Sequence, residues 1–147
     1  MHEEYDPMSM TLYLLLLTEK SLNTNVLNDF AKKTDPIAVY AANVDLSSHS
    51  GFLPVFLGGV KTGVETYKIP YSEISAELPP NKGINPKATV VIQLRWGGNI
   101  QEGATALYTA ALLSATYNGV AFDPSSNKYL TNEQLKQEYL TFMKYVN

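Results

Sequence analysis

The sequence predicts an α+β fold: a mostly antiparallel sheet with helices packed on one face, ferredoxin-like or an elaboration of that topology. Three observations carry this. Runs with period-two alternation recur along the chain, the clearest being "ATVVIQLRW" (88–96). Between them stand segments with helical period and recognisable caps, at 21–33, 100–117 and 131–146. A β-α-β order occurs early and again late, separated by extra strands, and helices kept to one side of an antiparallel sheet are a stable way to bury both.

Residues 1–10 read as a loose leader, and 11–147 as a single domain. A chain of 147 residues is the size of one domain and can bury a core without disulfides or metal. "TLYLLLLT" (11–18) is continuously apolar between polar turns, which fits a strand buried on both faces at the centre of a sheet. Ser21 caps a helix through Lys33, with Leu22, Val26, Leu27, Phe30 and Ala31 on one side, and Lys32 and Lys33 complement its C-terminal dipole. The helix stops before Pro36, because a residue preceding proline avoids helical geometry. Ile37–Leu46 resumes as a strand.

"FLPVFL" and "VKTGVETYKI" flank Gly58-Gly59, a pair suited to the positive φ angles of a tight hairpin. Pro54 lacks an amide donor, which puts its strand at an edge or a bulge. "SEISAELPPNKGINPK" is a loop with one helical turn at 72–78, and its Pro and Gly content makes it the segment expected to move. In 88–96, Val90, Ile92, Leu94 and Trp96 alternate with Thr89, Val91, Gln93 and Arg95. Asn99 caps the next helix, with Glu102 completing a capping box. That helix is apolar nearly all round, so it should lie flat on the sheet beneath a neighbour, and Gly119 should end it in the left-handed conformation. "VAF" is a short strand, "DPSSN" a turn, and Leu130, Thr131 and Gln134 open a last helix striped by Leu135, Tyr139, Phe142 and Val146.

Composition excludes several chemistries. Formal net charge is −3, which argues against a nucleic-acid protein, since phosphate binding needs clustered positive charge. The absence of cysteine removes disulfides, thiolate nucleophiles and Cys-ligated zinc. His49 and His2 are the only histidines, and no D-x-D-x-D-G loop occurs, so no metal and no cofactor is expected. The acidic start carries no basic n-region, the apolar run at 12–17 is too short for a bilayer, and no basic amphipathic helix addresses a membrane surface. A soluble cytoplasmic protein is expected. Ten tyrosines, against only 17% charged residues, suit half-wet surfaces and interfaces.

Three places could carry chemistry. Glu65 and Arg95 are unexpected charges in strands; with Tyr67 and Gln93 they form either a polar pocket on an open sheet face or a solvent-facing ion pair. His49 lies among Asp45, Ser47, Ser48 and Ser50, but a triad is assembled from separate elements around an oxyanion hole, and no G-x-S-x-G elbow is present. "RWGGNIQEG" joins a strand to a helix N-terminus through two glycines, yet it matches neither phosphate-binding pattern, and Glu102 stands where an anion would sit.

"SGFLPVFLGGVKTGVETYKIPYSEI", followed by "VVIQLRWGGNIQEGATALYTAALLSATYNGVAFDP", resembles small uncharacterised bacterial α/β proteins of immunity type, associated with polymorphic-toxin or secretion systems. The shared pattern runs from His49 to Pro124. It carries no catalytic motif, and it implies a cytosolic protein whose work is to bind another protein. The first functional expectation is therefore a non-enzymatic protein-binding module that neutralises a toxin by occlusion. An acidic surface would steer a basic partner. Phe52, Tyr67, Tyr71 and Trp96 would be anchors, and Glu65, Asp45 and Arg95 charged or polar contacts. The alternative is a small hydrolase or ligand-binding enzyme, with His49 as base and Glu65 and Arg95 orienting substrate. Homo-oligomerisation through the Pro54 strand or the open face is the third expectation.

Overall fold

In the computed structural model, which describes residues 10–17, 22–34, 38–81, 84 and 89–146, the apolar run Met10–Leu17 is strand β1. It pairs with Thr89–Trp96 (β5) on one side and Gly119–Asp123 (β6) on the other. That central place accounts for its composition. Leu12, Leu14 and Leu16 are buried on one face and Leu15 on the other, as a strand covered twice requires. Beyond β5 come Val60–Ile69 (β4), Ser50–Leu57 (β3) and Ala38–Tyr40 (β2); beyond β6 comes Lys128–Leu130 (β7). The sheet order is β2-β3-β4-β5-β1-β6-β7 and every pairing is antiparallel.

The middle four strands, β6-β1-β5-β4, carry the interleaved order of a ferredoxin-like sheet. Helix α3 (Ile100–Thr116) joins β5 to β6, which flank β1. The early unit is elaborated: after helix α1 (Thr24–Ala31) the chain visits β2 and β3 at one edge before it reaches β4. Helices α1, α3 and α4 (Asn132–Met143) pack on the face formed by Leu12, Leu14, Leu16, Ile92, Leu94 and Trp96. Nearly every residue of α3 from Gly103 to Ser114 is buried, because α3 packs against the sheet and also against α1 and α4. Asn99 caps α3 by accepting from the Gln101 and Glu102 amides at 2.9 and 3.1 Å. A full capping box stands on α4, where Thr131 and Gln134 satisfy each other's backbone amides. The short helix α2 (Tyr71–Ile74) and its following 3-10 turn, Ser75–Glu77, cross the opposite face of the sheet.

Several local expectations are revised. The cap of α1 is Asn23, which accepts from Asn25 N at 2.8 Å; Ser21, Pro36, Ile37 and residues 1–9 lie outside the described residues. The strand expected over 37–46 is cut to three residues. Pro54 explains why. Ala41 stands opposite it and donates to its carbonyl at 3.0 Å. Proline has no N–H to return, so the Ala41 carbonyl instead accepts from Thr24 Oγ1 at 2.6 Å and the ladder ends. Pro54 thus stands where β3 changes character: residues 55–57 are flanked by β2 and β4, whereas 50–54 form a ladder with β4 alone, so the proline sits where β3 becomes an edge, and no bulge interrupts the β3–β4 register. Asn118, with φ of 52°, takes the left-handed position after α3. Gly119 serves packing: a Cβ there would meet Leu15 O at 2.6 Å. "KYL" adds β7, an unanticipated strand.

Candidate functional site

The β3–β4 hairpin turns at Gly58 and Gly59, whose φ angles of 58° and 83° suit a two-residue turn matched to strand twist. The turn fixes the register: Phe56 faces Lys61, Pro54 faces Gly63, Phe52 faces Glu65 and Ser50 faces Tyr67. Strand alternation then sorts the side chains. Leu53, Val55 and Leu57 are buried beneath the helices. Phe52 and Phe56 point the other way and are 51% and 49% exposed, with the exposed Pro54 between them. Val39 of β2, paired with Phe56, extends the surface at 51% exposure. The Phe52 ring lies over Gly63, where a Cβ would meet Cζ at 2.3 Å. An aromatic ring covering a neighbouring strand's glycine is a known device for holding such a position.

Beside this apolar ribbon lies a polar row. Glu65 of β4 faces Arg95 of β5, which faces Thr11 of β1; Tyr67 faces Gln93, which faces Tyr13. All share the ribbon's side of the sheet. The Tyr67 hydroxyl donates to Glu65 Oε1. That bond to a carboxylate, then lost solvation, raises the Tyr67 phenol above its ordinary value. Burial raises the Tyr13 phenol, opposed by its hydrogen bond with Gln93. Glu65 and Arg95 are neighbours but not an ion pair; among the described residues the one ion pair within 4.0 Å is Lys32–Asp29, on the surface.

Part of this face is covered. Ile74, with Tyr71, Leu78 and Ile84, packs on Leu15, Val91 and Phe122. Tyr129 pins the segment by donating to Pro79 O at 2.6 Å, its ring 5.5 Å from that of Phe122. Among the described residues the α2 segment therefore closes the second face over Val91, Leu15 and Phe122, while the β2–β3–β4 half and the Arg95 end of β5 stay bare. The outer edge of β2 is closed too. Asn28 of α1 accepts from Tyr40 N at 2.7 Å and donates to Tyr40 O at 3.1 Å, so the edge backbone at Tyr40 is already paired.

The predicted site residues divide accordingly. Phe52, Glu65, Tyr67 and Arg95 are brought together on the bare half. Trp96 is a correction: it is 7% exposed and belongs to the helical core, because alternation places it with Val90, Ile92 and Leu94. Phe142 closes over it at Gly103, where a Cβ would meet Phe142 Cε2 at 2.4 Å and Trp96 Nε1 at 3.2 Å. Tyr71 is also reassigned, since it packs within the cover. Asp45 is engaged in its own turn, accepting from Ser47 N and Oγ at 2.9 and 2.6 Å, which holds its carboxyl below the usual range. Val39 and Phe56 were missed. The signal for Phe56 was the double alternation in "SGFLPVFL", where both faces of a strand are apolar; Val39 joins it only through its pairing with Phe56.

Among the described residues His49 meets no carboxylate. Its Nε2 lies 3.1 Å from both the Gly51 and Phe52 carbonyls. Two acceptors require that nitrogen to carry the proton, so it acts as a donor that fastens the start of β3. Among the described residues no group of three or more His, Asp or Glu side chains could hold a metal. A cleft of about 350 Å³ between α3 and α4 has Lys136 as its one charged lining residue, with no carboxylate or histidine to form an acid–base pair. Among the described residues no helix is long and apolar enough to cross a membrane. Comparison with protein-family models, curated proteins and solved structures finds no match for this chain.

Proposed function

We infer that the chain is a non-enzymatic protein-binding module and that the bare β2–β3–β4 half-face is its binding surface. The observation that carries this is the ribbon of Val39, Phe52, Pro54 and Phe56, exposed on a sheet whose first face is covered by helices and whose second face is covered in part by the α2 segment. Contiguous exposed apolar surface with a polar border is the usual form of a protein interface. Phe52 and Phe56 are its anchors; Tyr67, Glu65, Lys61 and Arg95 form its border. Binding there acts by occlusion, in the manner of the immunity-type proteins that the His49–Pro124 pattern resembles, and the corresponding setting is the bacterial cytoplasm. A basic toxin is the partner class this resemblance suggests. The border charges are mixed, however, so steering of such a partner would draw on acidic residues away from the ribbon.

The test compares capture of partners from the source organism by the wild-type chain, by Phe52→Asp/Phe56→Asp and by Leu140→Asp. Leu140 is equally exposed, on the helical side. The expected result is a partner lost with the ribbon variant and retained by Leu140→Asp; Phe56→Ala alone should weaken the purified complex by about 2 kcal/mol. Partners held equally by all three proteins would remove the ribbon from the binding surface.

A further inference from the structure

We propose that the ribbon's occupant in the purified protein is a second copy of this chain. The copies dock face to face about a two-fold axis that crosses the strands over the Pro54–Gly63 pair. This rests on reading the ribbon as a protein-binding face, and it names what binds there. The register supplies the argument. Pro54 and Gly63 are opposite each other, Phe52 and Phe56 lie two residues either side on β3, and Glu65 and Lys61 lie two residues either side on β4. Each step is about 7 Å along the strand. The ribbon is therefore symmetric in its apolar groups and antisymmetric in its charges about one point.

A two-fold axis lying in the interface exchanges the two ends of the ribbon. It sets Phe52 over Phe56 of the second copy, and Glu65 over Lys61 of the second copy, twice over. Self-complementarity of this kind is what a symmetric dimer interface requires. Phe52 and Phe56 exchange as strand positions, while the Phe52 ring leans over Gly63 toward the axis, where it meets the Phe52 ring of the second copy and fills the centre. The copies also clear each other. The α2 segment rises over the half of the face carrying Val91, Leu15 and Phe122, at the Ile69 end of β4. The axis carries the second copy's α2 segment to the opposite end, past Trp96, where β5 has ended and the chain turns toward α3. Only the β2–β3–β4 halves face one another, at the spacing of about 10 Å normal for packed sheets.

The experiment is analytical ultracentrifugation of the full chain with a charge-exchange cycle. The wild type should sediment as a dimer and Phe56→Asp as a folded monomer, while Leu140→Asp stays dimeric. Lys61→Glu and Glu65→Lys should each weaken the dimer by about tenfold or more, and the double variant should return to within about threefold of wild type. Melting curves on each variant separate lost folding from lost pairing. A wild-type monomer at about 100 µM overturns the second copy as occupant; the capture experiment then decides the binding reading by itself. A dimer indifferent to Phe56→Asp, or a double variant as weak as the singles, overturns the axis.

Discussion

Replacing Asn28 by alanine tests whether α1 seals the open edge of the sheet. The Asn28 side chain makes two bonds to one residue, accepting from Tyr40 N at 2.7 Å and donating to Tyr40 O at 3.1 Å. Each is a part-buried neutral hydrogen bond, worth about 1 kcal/mol net. Alanine favours a helix interior over asparagine by about 0.6 kcal/mol, which offsets part of the loss. The net cost is about 1.5 kcal/mol, and for a chain of this size that lowers Tm by about 3–6 °C. The control is Asn25→Ala, one turn earlier. It removes a similar pair of bonds to Asn43, of 2.6 and 3.0 Å, at an exposed site where water replaces them. Its cost should be less than half as large. Urea denaturation gives both values, and amide exchange at Tyr40 gives a local readout, which should accelerate in Asn28→Ala alone. A loss below about 0.5 kcal/mol with Tyr40 exchange unchanged would show that the edge is held by something other than Asn28.

Gly63→Ala should cost about 1–3 kcal/mol, since the new Cβ would meet the Leu53 carbonyl at 2.5 Å and the Phe52 ring at 2.3 Å, and the backbone oxygen cannot give way; a urea midpoint equal to wild type would contradict the close approach. Burial first of all raises the phenols of Tyr13, Tyr40, Tyr108, Tyr117 and Tyr129 above the ordinary tyrosine value of about 10. Above about pH 10 the unfolded chain therefore releases protons that the folded chain retains, so stability is full below that pH and falls as pH rises toward the folded values. Tyrosinate absorbance should accordingly rise in step with unfolding, and complete titration of all ten tyrosines in a chain that stays folded would refute it.

What could be read locally came through, and what depended on distant partners did not. The central place of 11–17, the Gly58-Gly59 turn and the Thr131 cap all follow from residues a few positions apart. The start of α1 does not: Ser21 and Asn23 are equally good caps by type. Asn23 also bridges to Asp45, a contact that only the folded chain brings about. The end of β2 was decided by a proline thirteen residues later on the neighbouring strand. Glu65, Tyr67, Gln93 and Arg95 were grouped correctly because strand parity alone puts them together. The same parity already placed Trp96 on the other side. The cover was hidden because Ile74, Leu78 and Ile84 are sparse apolar residues in a loop-like segment, and their common target exists only once the sheet has formed.

The case for a working surface rests finally on a contrast within one face. Where β4 and β5 are left uncovered, this face carries Glu65, Gln93 and Arg95, which is what a solvated sheet needs for folding alone. One strand away, and more exposed than Glu65 and Gln93, β3 carries Phe52, Pro54 and Phe56. Folding accounts for Phe52 in part, through its cover of Gly63, but not for Phe56, since Leu53, Val55 and Leu57 already anchor β3 from below. Nor does an open edge account for Phe56, because Asn28 pairs the outer backbone of β2 at Tyr40 and residues 55–57 of β3 are paired on both sides. Half-exposed phenylalanines in water forgo about 1 kcal/mol or more each of burial. A second protein surface laid over β3 recovers that free energy without rearranging the core, since the hairpin register, the Gly63 floor and the polar border are already fixed in the free chain.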